Sequence, residues 1–254
     1  MESPNTKEVF MTTGNKLAKL RREAGYTQEQ LAELLNVSRQ SVSKWESDLS
    51  YPETDKLIKL GELYQCSGEA LLAKQVKQLD MLFEYNSLKP SQAKEKQSLL
   101  KEMFAEFGEG SYIETPFHAN WGGKFTHIGK SVYANFNLTL VDDGEIFIGD
   151  NVMIAPNVTI CTGTHPINPE LREKTVQYNL PVTIKRNAWI GAGSVILPGV
   201  TVGENSIIGA GSVVTKDIPD NVVAVGSPCR VLREISERDK KYYRGNIEIT
   251  DDFE

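Results

Sequence analysis

Between Ile184 and Val214 the chain repeats itself every six residues: Ile184, Ile190, Ile196, Val202, Ile208 and Val214 recur without a slip. Four residues after each stands a small or β-branched side chain, in turn Ala188, Ser194, Val200, Ser206, Ser212 and Ile218. Six is neither the helical period nor the simple strand period. It suits a short strand plus a turn, repeated so that one aliphatic per repeat stacks on its equivalent in the next coil. Gly191, Gly203 and Gly209 directly follow three of the aliphatics and give the corners their backbone freedom. The repeat is legible earlier as Ile128, Ala134 and Leu140 and, after a phase break, as Ile148, Ile154 and Ile160. This is the pattern of a parallel β-helix. The period carries no chemistry of its own, so function has to come from what interrupts the coil.

The first seventy residues follow a different, helical period. Leu17, Leu20 and Ala24 mark one face of a helix ending near Gly25. Thr27 caps a second, with Gln30 three residues on as its capping-box partner and Leu31, Leu34 and Leu35 as its apolar face. Ser38 caps a third, with Val42 and Trp45 inward, and Pro52 precedes a fourth carrying Leu57, Leu60 and Leu63. Short helices around a tight turn describe a helix-turn-helix. The string TQEQLAELLNVSRQSVSKWE from Thr27 resembles the phage-repressor-like helix-turn-helix family over about residues 12–72. The resemblance implies DNA as a partner, with Arg39, Gln40 and Lys44 of the third helix at base edges and Gln28 on a phosphate. Residues 1–80 nevertheless hold 11 basic and 12 acidic side chains, so no surplus charge drives non-specific binding.

The β-helical pattern resembles the hexapeptide-repeat acyltransferases. From that resemblance, and not from the period, comes the expectation of a left-handed coil and a homotrimer. The lead-in LFEYN, SLLKEMFAEFGE and YIETPFHANWGGK is similar to that of the maltose and galactoside O-acetyltransferases, where a helical cap precedes the coil. Two helices are expected there, Ala73–Tyr85 and Gln92–Phe107. Gly61-Glu62-Leu63-Tyr64 fits the start of that cap as well as the end of the repressor-like domain, and Gln65 stands where the family has an acidic contact.

The coil is interrupted between Ile160 and Ile184 by CTGTHPINPELREKTVQYNLP, a polar insertion of the kind a solenoid extrudes along one edge. It contains His165. The family carries its catalytic histidine in the matching loop, so the resemblance implies that His165 is the general base; an imidazole of ordinary pKa near 6.5 can take a hydroxyl proton at neutral pH and return it to a thiolate. On the same ground Asn120, Asn135 and Asp143 would bind a sugar acceptor, Gln177 replaces a glutamate common among relatives, and acetyl-CoA would be the donor. Trp189, Gly191, Ala192 and Ala210 would line its pantetheine groove, with Thr215, Lys216, Arg230 and Arg233 at its nucleotide end. Cys161, four residues before His165, offers a rival path through an acetyl-enzyme.

At 254 residues there is room for about two domains. No apolar run reaches the length of a membrane span, the start has no signal-type core, and three cysteines at no metal-ligand spacing favour a reducing compartment. The expectation is therefore a cytoplasmic α + β protein with no membrane partner and no metal. It divides into an all-α helix-turn-helix domain (12–72), a helical connector or cap (73–127), a left-handed parallel β-helix (128–235) and a tail (236–254). Its expected function is acetyl-CoA-dependent O-acetylation of a sugar hydroxyl, joined to a DNA-binding module. The competing reading is a transcription regulator whose β-helix is a sugar or CoA sensor or a trimerisation device.

Overall fold

The computed structural model of the chain describes residues 12–53, 56–57, 62–65 and 69–250. The chain forms two compact units, Met1–Leu60 and Gly61–Glu254. The division falls inside the segment that the sequence assigned to the helix-turn-helix.

In the first unit, helices α1 (Thr13–Glu23), α2 (Gln28–Leu34) and α3 (Arg39–Glu46) each begin at a capping hydroxyl. Thr12 accepts the Asn15 N–H, Ser38 accepts that of Ser41, and Thr27 and Gln30 form the full capping box. Leu17, Leu31, Ala32, Leu35, Val42 and Trp45 make the core. Two expected faces are rotated. Leu20 is 41% exposed and Leu34 58%, while Leu17 and Ala18 on α1 are buried. On α1 Arg21 turns inward, its guanidinium met by Glu46 at 2.5 and 3.1 Å, and a charge so paired can occupy the face that an apolar pattern reserves for leucine; on α2 Ala32 is buried in place of Leu34. Of the expected fourth helix, Lys56–Leu57 is helical, Leu60 lies outside the described residues, and Leu63 is exposed and not helical.

The second unit opens with the short strand Tyr64–Gln65, followed by α4 (Glu69–Ser87) and α5 (Ala93–Met103). The second helix expected here does not run to Phe107. Phe104 leaves it with extended geometry, φ −82° and ψ 150°, and packs its ring 5.4 Å from that of Phe107. Glu106–Phe107 is the first strand of the coil, paired in parallel with Thr126–Ile128. The β-helix thus begins a full coil before the expected start at Ile128.

Each coil contributes one short strand to each of three parallel sheets. The first stacks strands 106–107, 126–128, 146–148, 182–184 and 201–202; the second 112–113, 133–134, 153–154, 189–190, 207–208 and 222–225; the third 118–119, 139–141, 159–161, 195–196 and 213–214. The hexad aliphatics from Ile184 to Val214 are all fully buried in the column between the sheets. The phase break has a simple cause. Ile128 and Ile148 are partners twenty residues apart, where three hexads give eighteen; the extra residues lie between Leu140 and Ile148, taken up by the three-residue strands 139–141 and 146–148. The corners joining the third sheet to the first are 120–125, 142–145, 162–181 and 197–200, and the long ones, 120–125 and 162–181, are both among them. Strand Arg230–Glu234 folds back antiparallel on Val222–Val225, and α7 (Glu237–Lys241) follows it, after α6 (Pro169–Glu173) within the long corner.

Candidate active site

Corners 120–125, 142–145 and 162–181 lie on one edge of the prism, and they hold the residues with the most chemistry. Corner 162–181 is a small hairpin: Gly163–Thr164 pairs antiparallel with Val176–Asn179, which also pairs with Tyr64–Gln65. His165 leaves this hairpin exposed, with Nδ1 2.9 Å from the Val176 carbonyl oxygen. A carbonyl can only accept, so Nδ1 carries the hydrogen and the neutral ring presents its lone pair at Nε2. That is the tautomer a general base requires.

Two residues earlier, Gly163 lies against the next corner. A Cβ there would sit 2.7 Å from Oδ2 of Asp143 and 3.0 Å from Nε2 of Gln177, so any side chain would fill the gap between them. Asp143, half-buried, accepts from Asn120 Nδ2 at 3.1 Å and from the Trp121 indole N–H at 3.2 Å. Behind it is a buried amide network. Gln177 Nε2 donates to the Tyr64 hydroxyl at 2.9 Å and to Asn179 Oδ1 at 3.1 Å; Asn179 Nδ2 donates to the Tyr64 hydroxyl and to the Asp143 carbonyl. The structure therefore brings Asn120, Asp143 and Gln177 together and places the His165 hairpin against them. Trp121, Tyr64 and Asn179 also belong to this cluster and were missed from sequence. Trp121 has one local signal, the Gly122-Gly123 turn that follows it; Tyr64 is a hundred residues away in the chain and has none.

Cys161 is half-buried at the base of the hairpin. Burial, and then the Asp143 carboxylate, push its thiol above the ordinary cysteine value. Both act against a thiolate, and hence against the acetyl-enzyme path.

The remaining expected residues lie elsewhere. Asn135 is on the corner between the second and third sheets, where its Oδ1 accepts the Phe136 N–H at 2.9 Å. Gly191, Ala192 and Ala210 occupy the same edge in later coils, where the Gly211 N–H donates to the Ala192 carbonyl at 2.8 Å. Ala192 and Ala210 are exposed, and Trp189 is an outward residue of the second sheet, 48% exposed. Thr215 and Lys216 are exposed on the long-corner edge. Arg233 forms a double hydrogen bond with Asp239, 2.7 Å on each nitrogen, which caps α7; its charge is already met within the tail. Among the described residues no carboxylate pairs with Arg230, whose Nη1 donates to the Cys229 carbonyl. One chain thus divides the expected site between two edges of the prism.

In the first unit Arg39, Gln40 and Lys44 are exposed along α3. Gln28 differs from a free phosphate ligand in one respect: its Nε2 donates to Glu46 at 2.8 Å. Burial alone would raise the Glu46 pKa, but the bonds from Arg21 and Gln28 outweigh it and hold the carboxyl below its ordinary value. Among the described residues no cluster of side chains has the make-up of a metal site, and no helix is long and apolar enough to cross a membrane.

Comparison with known proteins agrees with this architecture. A helix-turn-helix family model matches residues 17–71, a maltose acetyltransferase hexapeptide capping motif residues 59–108, and the bacterial transferase hexapeptide model residues 181–216. The galactoside O-acetyltransferase of Lactococcus lactis is 52% identical over 191 residues, which is 75% of this chain and 92% of the relative. That of Escherichia coli K12 is 50% identical over 195 residues, 77% of this chain and 95% of its own. A solved galactoside acetyltransferase in complex with coenzyme A superposes with a TM-score of 0.75 at 48% identity, covering 78% of this chain and 99% of that one. These relatives are matched over nearly their whole length, and the chain belongs to the maltose and galactoside O-acetyltransferase family of hexapeptide-repeat enzymes, with a helix-turn-helix domain at its N-terminus.

Proposed function

We propose that the chain transfers an acetyl group from acetyl-CoA directly to a sugar hydroxyl, with His165 as general base. The observation that carries this reading is the His165 tautomer, fixed by the Val176 carbonyl on the hairpin that borders Asp143. Nε2 takes the proton of the acceptor hydroxyl as its oxygen bonds to the thioester carbonyl carbon. The tetrahedral oxyanion then collapses, the carbon–sulfur bond breaks, and the proton held on Nε2 goes to the departing thiolate. Asp143 accepts hydrogen bonds from sugar hydroxyls, and the Asn120 amide and Asn135 Nδ2 serve as donors. The shallow edge at Gly191, Ala192 and Ala210 admits the pantetheine arm beside Trp189. Lys216 and Arg230 supply cationic partners for the nucleotide phosphates; Arg233 supports the tail that carries Arg230.

The two-edge division favours a ring of copies. A site needing one edge of one chain and a different edge of the next is a heterologous interface, and such interfaces close into cyclic assemblies. A three-sided prism closes as a trimer with three sites. The helix-turn-helix reads DNA with Arg39, Gln40 and Lys44 at the bases. Gln28, braced by Glu46, and the neighbouring Arg22 and Tyr26 face the backbone. The free thiols of Cys161 and Cys229 suit a reducing cytoplasm.

The test is thiol release from acetyl-CoA against a panel of galactosides and maltosides, with the product located by mass. CoA binding without thiol release from any sugar would replace the enzyme reading with that of a ligand sensor.

A further inference from the structure

Asp142 and Asp143 are consecutive on one corner, yet they face opposite ways. Asp143 meets the acceptor side. Asp142 is fully buried, with no exposed surface. Its Oδ1 accepts the backbone N–H of Trp121 at 2.7 Å and its Oδ2 that of Gly123 at 2.9 Å. Both oxygens are therefore spent on the main chain of one turn, Asn120 to Gly123, in the preceding coil. That turn is tightly determined. Gly122 and Gly123 have φ of +61° and +95°, and a Cβ on Gly123 would meet the Phe104 ring at 2.8 Å. Such a backbone needs glycine, and its N–H groups need a strong acceptor to hold them in register. The same turn extends the Asn120 amide and the Trp121 indole N–H to the two oxygens of Asp143.

A buried carboxylate is costly, and burial pushes Asp142 up to about 7 despite its backbone donors. The adjacent Asp143 carboxylate adds to that rise. A purely structural contact at this place could be made by a neutral amide or hydroxyl. An amide, however, offers one acceptor and one donor, whereas two converging N–H groups ask for two acceptors.

We propose that Asp142 is a positioning residue for the acceptor site: its two oxygens clamp the Asn120–Gly123 turn, and through that turn they set the Asn120 and Trp121 donors that orient Asp143. The carboxylate of Asp142 touches no substrate. It acts on acceptor affinity through Asp143, while the small-residue edge for the donor is left alone. This inference rests on the acetyltransferase reading for its kinetic arm only.

The test uses the full-length protein. In Asp142→Asn one N–H of the turn faces an amide N–H. The acceptor KM is expected to rise on the order of tenfold, the loss of a charge-assisted bond, with a smaller change in kcat and unchanged CoA binding by titration. Hydrogen exchange at the Trp121 indole is expected to accelerate by a similar factor. Trp121→Phe alone should raise the acceptor KM comparably, and the double variant should lose little more than either, since both remove one linkage. Asp142→Glu, which keeps two acceptors, should recover part of the loss. A wild-type measurement stands beside these in case the asparagine variant does not fold: the Trp121 and Gly123 amides and the Trp121 indole should exchange with one common opening equilibrium. Additive losses, an unchanged acceptor KM in folded Asp142→Asn, equal losses in acceptor and CoA binding, or indole exchange independent of the two amides would each overturn the clamp. If the wild-type protein acetylates no sugar, the activity reading fails while the exchange measurements still decide the clamp.

Discussion

His165 is exposed, and its role depends on one carbonyl. With Nδ1–H donated to Val176, the ring needs no reorientation to accept at Nε2. His165→Ala should therefore lower kcat by about 10²–10⁴-fold, the usual contribution of a general base, while CoA binding measured by titration stays near the wild-type value. Near-normal turnover would remove His165 from the mechanism. Cys161 makes the opposite case. Its thiol is raised by burial and by Asp143, so Cys161→Ser should retain most activity, and initial-rate plots for the two substrates should intersect as for a ternary complex. Parallel lines, or an acetyl group found on Cys161 by mass spectrometry, would establish the acetyl-enzyme route instead.

At the scale of elements, the hairpin that carries His165 is only partly made by its own residues. Val176–Asn179 is flanked by Gly163–Thr164 on one side and by Tyr64–Gln65 on the other. The Tyr64 hydroxyl accepts from two buried amides, Gln177 and Asn179. Tyr64→Phe leaves both donors short of a partner, a cost of about 1–3 kcal/mol. It should lower the thermal midpoint and kcat together, because Val176 carries the carbonyl that fixes His165, while leaving CoA affinity unchanged; an unaltered kcat would show that the third strand does not support the site. Elements of this kind define the limit of reading from sequence. The hexad period places Ile184 to Val214 correctly because each coil repeats one local environment, and the insertion around His165 is legible as a failure of that period. The first coil escapes notice because Phe104 and Phe107 also fall at helical spacing, and the nine residues from Ala119 to Ile128 cut its hexads, Phe107, Ile113 and Ala119, off from those that follow. Leu20 likewise reads as core, since nothing local reveals that Arg21 is neutralised by Glu46 twenty-five residues later. The site splits in the same way. His165, Asp143 and Asn120 carry their motifs with them, whereas Tyr64, Trp121 and Asn179 enter only through pairing between distant segments.

On the proposed function the whole molecule has to reconcile two symmetries. A repressor-like helix-turn-helix reads two half-sites about one turn of DNA apart through a two-fold pair. The proposed acetyltransferase site, divided between unlike edges of the prism, calls for a three-fold ring. No rigid arrangement of three copies satisfies both axes. If the domain reads an operator, two helix-turn-helix domains would pair on it, within one trimer or between two, leaving one domain of the trimer without a partner in the first case. Light scattering should give a trimer for the free protein. Titration with a selected palindromic duplex should saturate at one duplex per trimer if pairing is internal, or at a ratio of two trimers to one duplex if it is not. Arg39→Ala should weaken binding to the selected site by roughly 1–3 kcal/mol and relax preference at one base position, with acetyl transfer unaffected. Because the domain has no surplus of basic residues, specific contacts at α3 have to carry the discrimination, and the loss should be visible against random duplex at moderate salt. Equal affinity of the full-length protein for selected and random duplex would show that the domain does not read sequence; it would then be a docking module carried by an acetyltransferase, and the mismatch of axes would have no consequence for DNA.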